Sequence, residues 1–158
     1  MPHTGGSPTK KGDQYYQTIL RWLESGAPAD AGEVPTVEKV ELYPAAALLD
    51  GAGETQQLTV RAKYSDGTDR DVTSLAVFLS SNDNAAAVSP EGKVTAANRG
   101  EAFIMARFEK KTVGVPFIVL PKGLEFQWQE TPANNYIDEL VYAKLRKLRI
   151  QPSELCSD

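Results

Sequence analysis

The chain has 158 residues, 41% hydrophobic and 24% charged, with 21 acidic against 17 basic side chains and a formal net charge of −4. That is globular composition with room for one core and flanking sequence; it offers no apolar run near the ~20 residues of a membrane span and argues against nucleic acid, which calls for clustered Lys and Arg. The sole cysteine, Cys156, excludes an internal disulfide and leaves the redox compartment open.

The opening PHTGGSPTKKGDQ lacks the apolar stretch of a secretory signal. In DQYYQTILRWLESGAP, Tyr16, Ile19, Leu20 and Leu23 fall at i, i+3, i+4 and i+7, which predicts a helix with one apolar face. Asp13 suits its N-cap, and Gly26 with Pro28 ends it. At about 12 residues it needs a partner surface. Residues 27–36, APADAGEVPT, read as a linker.

From Val37 the apolar period changes from 3.6 to 2. Val40 and Leu42 alternate with Glu41 and Tyr43 until Pro44 closes the strand. In QQLTVRAKY, Leu58, Val60, Ala62 and Tyr64 point one way and Gln57, Thr59, Arg61 and Lys63 the other, the pattern of a half-buried strand. Asp66-Gly67 predicts a tight hairpin with positive φ at both central residues. RDVTSLAVFLSSND supplies further strand around Val72 and then Val77 and Leu79.

In VSPEGKVTAANRGEAFIMARF, turns at 90–92 and 98–100 flank a short strand, 93–96, and a longer one follows at 101–108. The longer strand's inward set is Ala102, Ile104, Ala106 and Phe108, small and large residues that interdigitate with a facing sheet. The glycines give these turns backbone freedom. TVGVPFIVL, the last strand, buries Val113, Val115, Phe117 and Val119, and Pro116, which has no N–H to donate, places it at a sheet edge. Short strands with regular turns predict a mainly β chain built on a sandwich or small barrel.

After Pro121, KGLEFQWQETPAN is a second linker. NNYIDELVYAKLRKLRIQPS then predicts a helix, capped by Asn135, with Asp138 and Glu139 in its first turn and Ile137, Leu140, Val141, Leu145 and Leu148 as its apolar stripe. The basic cluster at 144–149 is the solvated last turn of that helix.

The pattern V-x-x-x-G-x-V-x-A-x-x-x-G-x-A-x-I-x-A at Val88 to Ala106 resembles the bacterial Ig-like group 2 family, and the likeness runs back through LTVRAKYSDGTDRDVT and FLSSND, with Phe78 as the aromatic residue before the Ser/Asn segment. The resemblance covers residues 34–121. It implies an immunoglobulin-like β-sandwich with a short helix in each flank, used as a spacer or adhesion module of an exported surface or periplasmic protein. PHTGG followed by YYQTILRWLESGAP is similar to the tail of planctomycete-type c-type cytochrome domains. The segment from Asn134 onward looks like the start of the planctomycete domain of unknown function that follows such modules. These likenesses divide the chain into a tail and helix (1–33), the sandwich (34–121) and a linker with the start of a further domain (122–158), an excised middle section of a longer protein.

His3, the sole histidine, is on that basis a candidate axial ligand of a c-type haem in the parent protein, and otherwise a passive residue of a flexible terminus. C-x-x-C-H is absent, so this fragment holds no covalent haem. With His3 outside the sandwich, a Ser/His/Asp triad within it is excluded. Asp66, Asp69 and Asp71 are candidate calcium ligands, a beginning toward the six to eight oxygens that calcium takes, although the spacing is not that of an EF-hand and the turn alone accounts for Asp66-Gly67. Asn82-Asp83-Asn84 is a second acidic and amide-rich spot; Cys156 lacks an activating neighbour. Trp22 and Trp128 fit either ligand binding or packing against neighbouring domains.

The leading expectation is a non-enzymatic, monomeric Ig-like module whose partners are neighbouring domains of the same polypeptide, a surface protein or a carbohydrate. The alternatives are a connecting piece of a c-type cytochrome electron-transfer protein, the approach to an enzyme domain downstream, and a calcium-dependent adhesin.

Overall fold

The structure, a computed structural model, describes residues 11–153. It divides into two compact units between Pro35 and Thr36. The first holds helix α1 (Gln14–Glu24). Asp13 closes its N-terminus as expected, its carboxylate accepting the Tyr16 N–H at 2.7 Å and satisfying one of the four free donors of the first turn. Gly26 at φ 92° and Ala27 at φ 48° turn the chain out of the helix. Ile19 and Leu23, on the predicted apolar face, remain exposed.

The second unit is an immunoglobulin-like β-sandwich. Its described strands are β1 (Val37–Tyr43), β2 (Ala47–Asp50), β3 (Thr55–Gln57), β4 (Thr59–Tyr64), β5 (Asp69–Asp71), β6 (Val77–Ser80), β7 (Ala86–Val88), β8 (Lys93–Ala96), β9 (Gly100–Phe108) and β10 (Lys111–Leu120), followed by helix α2 (Tyr136–Leu148). One sheet has the order β2-β10-β9-β6; the facing layer combines β1-β4-β5 with β3-β8-β7. Only Leu58 separates β3 from β4, and its N–H donates to the Gly92 carbonyl, so the two runs tie that layer together.

Period-two alternation makes the core. Leu58, Val60 and Ala62 face Ala102, Ile104, Ala106, Val115, Phe117 and Val119 in one continuous apolar cluster, and no described polar or charged residue is buried with them. The inward residues expected for β4 and β9 are the observed ones, and Val113 is only partly buried at the margin of the cluster.

The strand expected around Val77 and Leu79 forms as β6, with Phe78 as its inward side chain and Val77 and Leu79 facing outward. Two local expectations are corrected. The Asp66-Gly67 hairpin has positive φ at Gly67 alone, 80°. Gly67 N–H donates to the Tyr64 carbonyl and Tyr64 N–H to the Thr68 carbonyl, which makes a three-residue loop ending in a glycine bulge instead of a two-residue turn. Finally, β10 is an interior strand, flanked by antiparallel β9 and parallel β2.

Pro116 is tolerated there for a specific reason. It stands opposite Phe103, whose N–H and carbonyl both bond to Ser81 on the other flank. This is a non-hydrogen-bonded pair, so the Pro116 nitrogen points toward the β2 side, one residue before β2 begins its pairing at Phe117.

Candidate interaction surface

The glycine motif builds the frame. Gly92 takes φ 78°, and a Cβ there would lie 2.8 Å from the Phe78 ring. A Cβ on Gly100 would meet that of Ala85 at 3.2 Å. The amide-rich segment is pinned beside them: Asn82 Nδ2 donates to the Glu101 carbonyl at 3.0 Å, Asn98 Nδ2 to the Asn84 carbonyl at 3.1 Å, and Ser80 Oγ to the Ala86 carbonyl at 2.7 Å. These groups position strands and turns.

The outer face of β1-β4-β5 is a charge ladder. The register sets Lys39 opposite Lys63 and Lys63 opposite Asp69, then Glu41 opposite Arg61 and Arg61 opposite Asp71. Glu41 bridges Lys39 at 2.7 Å and Lys63 at 3.3 Å, and Arg61 meets Asp69 at 3.0 Å. The Lys39 and Lys63 ammoniums hold the Glu41 carboxyl below the usual carboxylate range.

The three aspartates considered for calcium are each engaged separately. Asp66 Oδ1 accepts the Thr68 hydroxyl at 2.6 Å and the Thr68 N–H at 2.9 Å. Asp69 binds Arg61, and Asp71 Oδ1 accepts the Thr73 N–H at 2.9 Å. The Thr68 bonds lower the Asp66 pKa and the Thr73 bonds that of Asp71. Among the described residues, no group of three His, Cys, Asp or Glu side chains is placed to hold a metal ion. His3 and Cys156 lie outside the described residues.

The opposite outer face, on β2-β10-β9-β6, carries an apolar strip between Glu101 and Arg107 of β9. Leu79 stands beside Met105, Phe103 beside Pro116, and Ile118 beside Leu48. Leu48, Leu79 and Phe103 are 47%, 51% and 52% exposed. Helix α2 stands along one side of this face. Lys144 Nζ binds Glu101 Oε2, Arg99 donates to the Leu148 carbonyl at 3.3 Å, and Arg149 to the Leu124 carbonyl at 2.9 Å. Between helix and sheet runs a groove of about 320 Å³ lined by Ala46, Ala47, Leu48, Pro116, Ile118, Lys144 and Lys147.

The two tryptophans differ. Trp22 donates its indole N–H to the Pro28 carbonyl at 3.1 Å and is largely exposed. Trp128 belongs to a cluster with Phe126, Tyr142 and Arg146, whose guanidinium lies 4.7 Å from the ring and is paired with Glu130 at 2.9 Å. Its Nε1 is buried without a hydrogen-bond partner. This cluster attaches the segment after β10 to α2. No described helix is long and apolar enough to cross a membrane.

The family model for the bacterial Ig-like domain (group 2) matches residues 36–115. Among solved structures, domains 5-6 of the S-layer protein SbsC are similar at 21% identity and a TM-score of 0.47, over 55% of this chain and 45% of that one. Domains 4-9 of the same surface layer protein are similar at 21% identity and a TM-score of 0.48, over 65% of this chain and 19% of that one. A bacterial Ig-like domain containing GH10 xylanase from termite gut is similar at 20% identity and a TM-score of 0.37, over 51% and 20% of the two chains. The chain thus spans less than half the length of each of these structures, and no curated protein matches it.

Proposed function

The chain belongs to the bacterial Ig-like domain (group 2) family, and from that premise we propose that it is a non-enzymatic structural and interaction module, a spacer or adhesion unit, within a large exported bacterial protein of the cell surface or periplasm. The observation that carries this reading is the difference between the two outer faces of the sandwich. One is closed by ion pairs, and the other offers apolar side chains to a partner. The polar side chains of the turns, Asp66, Asp71, Asn82 and Asn98 among them, are spent on holding backbone. Neighbouring domains of the same polypeptide are the first partners this implies.

The test is labelling of the parent protein in intact cells, with Lys110→Cys on the exposed β9–β10 turn and Cys156→Ser removing this chain's own thiol, read against the parent that carries Cys156→Ser alone. A membrane-impermeant maleimide that labels intact or outer-membrane-permeabilised cells supports an exported module. Labelling only after complete lysis overturns it. A second reading, suggested by the likeness of PHTGG and YYQTILRWLESGAP to the tail of c-type cytochrome domains, makes the chain the connecting piece of a c-type cytochrome protein. A covalent haem absorption band in the matured parent protein selects that reading, and its absence from a folded parent removes it.

A further inference from the structure

We infer that the groove between α2 and the outer face of the β2-β10-β9-β6 sheet receives an extended segment of a partner polypeptide that carries apolar side chains and, at one end, a carboxylate. This rests on the reading of the chain as an interaction module and adds the chemistry of what it holds.

The floor sets the apolar requirement. Pro116 and Ile118 on β10 and Leu48 on β2 line the groove, and outward-facing Phe103 on β9 and Leu79 on β6 continue the apolar strip beyond it across the sheet. Four adjacent strands put the ends of this strip about 14 Å apart, a distance that an extended segment of about four or five residues crosses. Covering it would remove several half-exposed large side chains from water at once, the arrangement that marks interaction sites on soluble domains.

The wall sets the charge. Lys144 and Lys147 stand three residues apart on α2 and both line the groove, whereas no acidic residue does. Lys144 is held by Glu101, and among the described residues no ion pair engages Lys147. The groove therefore offers an ammonium beside an apolar floor. Pro116 has no N–H, and neither an arginine fork nor a helix N-terminus faces the groove. A phosphate, with its many acceptor oxygens, finds too few donors here, and a single carboxylate finds enough. The floor is open along its length, which suits a polypeptide lying across strands better than an acyl chain, which needs enclosure.

The experiment titrates the isotope-labelled full chain with the peptide acetyl-Leu-Ser-Leu-Ser-Glu-amide, whose alternate residues share one face, while amide and methyl resonances are followed. Expected are saturable shifts at low millimolar peptide concentration at Leu48, Phe103, Ile118 and Leu79. The Gln-terminated peptide, and separately Lys147→Gln, are each expected to weaken binding by about two- to fivefold, the range of an exposed ion pair. Lys147 is on the surface, and its variant's spectrum outside the groove reports that the fold is intact. Absence of shifts, equal binding of the Glu and Gln peptides, or shifts confined to β1-β4-β5 overturns the inference, as does binding of octanoate without binding of the peptide. The titration uses purified protein, so its failure is distinct from a failure of the cell-labelling test, which reports location alone.

Discussion

Gly92 and Phe78 form one structural unit even though they lie far apart in the chain. At φ 78°, an L side chain at position 92 is strained, and its Cβ would also sit 2.8 Å from the ring of Phe78. Gly92→Ala is therefore expected to cost about 2–4 kcal/mol in urea unfolding, since backbone strain and overpacking act together. Gly100→Ala, which meets the Ala85 methyl at 3.2 Å and Asn82 Nδ2 at 3.9 Å, should cost about 1 kcal/mol. A loss below about 0.5 kcal/mol for Gly92→Ala would mean that the ring yields freely and the packing account is wrong. Glu109, the first central residue of the β9–β10 turn, holds φ 50° without being glycine. Glu109→Gly should gain about 0.5–1 kcal/mol and Glu109→Val lose about 1 kcal/mol, because a β-branched residue resists this conformation most. The glycine spacing in the sequence already pointed to structural work at position 92. What it could not reveal was the ring that enforces it, since nothing in a local pattern connects position 78 to position 92.

The outward face of β1-β4-β5 derives its order from charge, which makes it sensitive to acid. Glu41, Asp66 and Asp71 all have pKa values lowered in the folded protein, Glu41 by its two lysines and the aspartates by hydrogen bonds from Thr68 and Thr73. A lowered folded pKa means that the unfolded chain binds protons first as pH falls. The stabilisation is then complete above the ordinary carboxylate range, around pH 4–5, and is lost as pH drops through the folded values. Melting temperature should accordingly hold steady near neutrality and fall below that range, and Glu41→Gln with Asp71→Asn should flatten part of the fall. An unchanged pH profile in the double variant would remove these groups from the account. The alternation in QQLTVRAKY revealed which residues of β4 face the core, because the period of a strand is fixed at two. Pairing is a different matter. β5 is exposed at all three residues, so no alternation marks it, and Pro116 suggested an edge although the direction of its nitrogen, set by the register with Phe103, is what admits it to an interior strand.

Beyond the strands, the molecule carries a helix that touches the sandwich without being buried in it. None of the residues of α2 is buried, and Tyr136, Ile137, Leu140 and Val141 remain exposed, so only the second half of the predicted apolar stripe, Leu145 and Leu148, is partly covered. The sequence showed the stripe but not which half would find a surface. The groove was equally hidden, because it is assembled from residues near positions 47, 117 and 145, and because Pro116 and Ile118 lie on the side of β10 that inward-facing patterns disregard. A helix held by surface contacts opens more easily than the core it rests on, which is protected by global stability. Native-state hydrogen exchange should therefore find α2 amides exchanging well before those of β9 and β10. Glu101 holds Lys144 and also lends its backbone carbonyl to Asn82, so Glu101→Ala removes the first contact while sparing the second. With an exposed ion pair lost, α2 amides should exchange about two- to fivefold faster, while the slowest amides of β9 and β10 stay within error. If all protected amides accelerate together, the helix opens only with the whole sandwich, and it forms part of the folding unit instead of a clamp laid along its face.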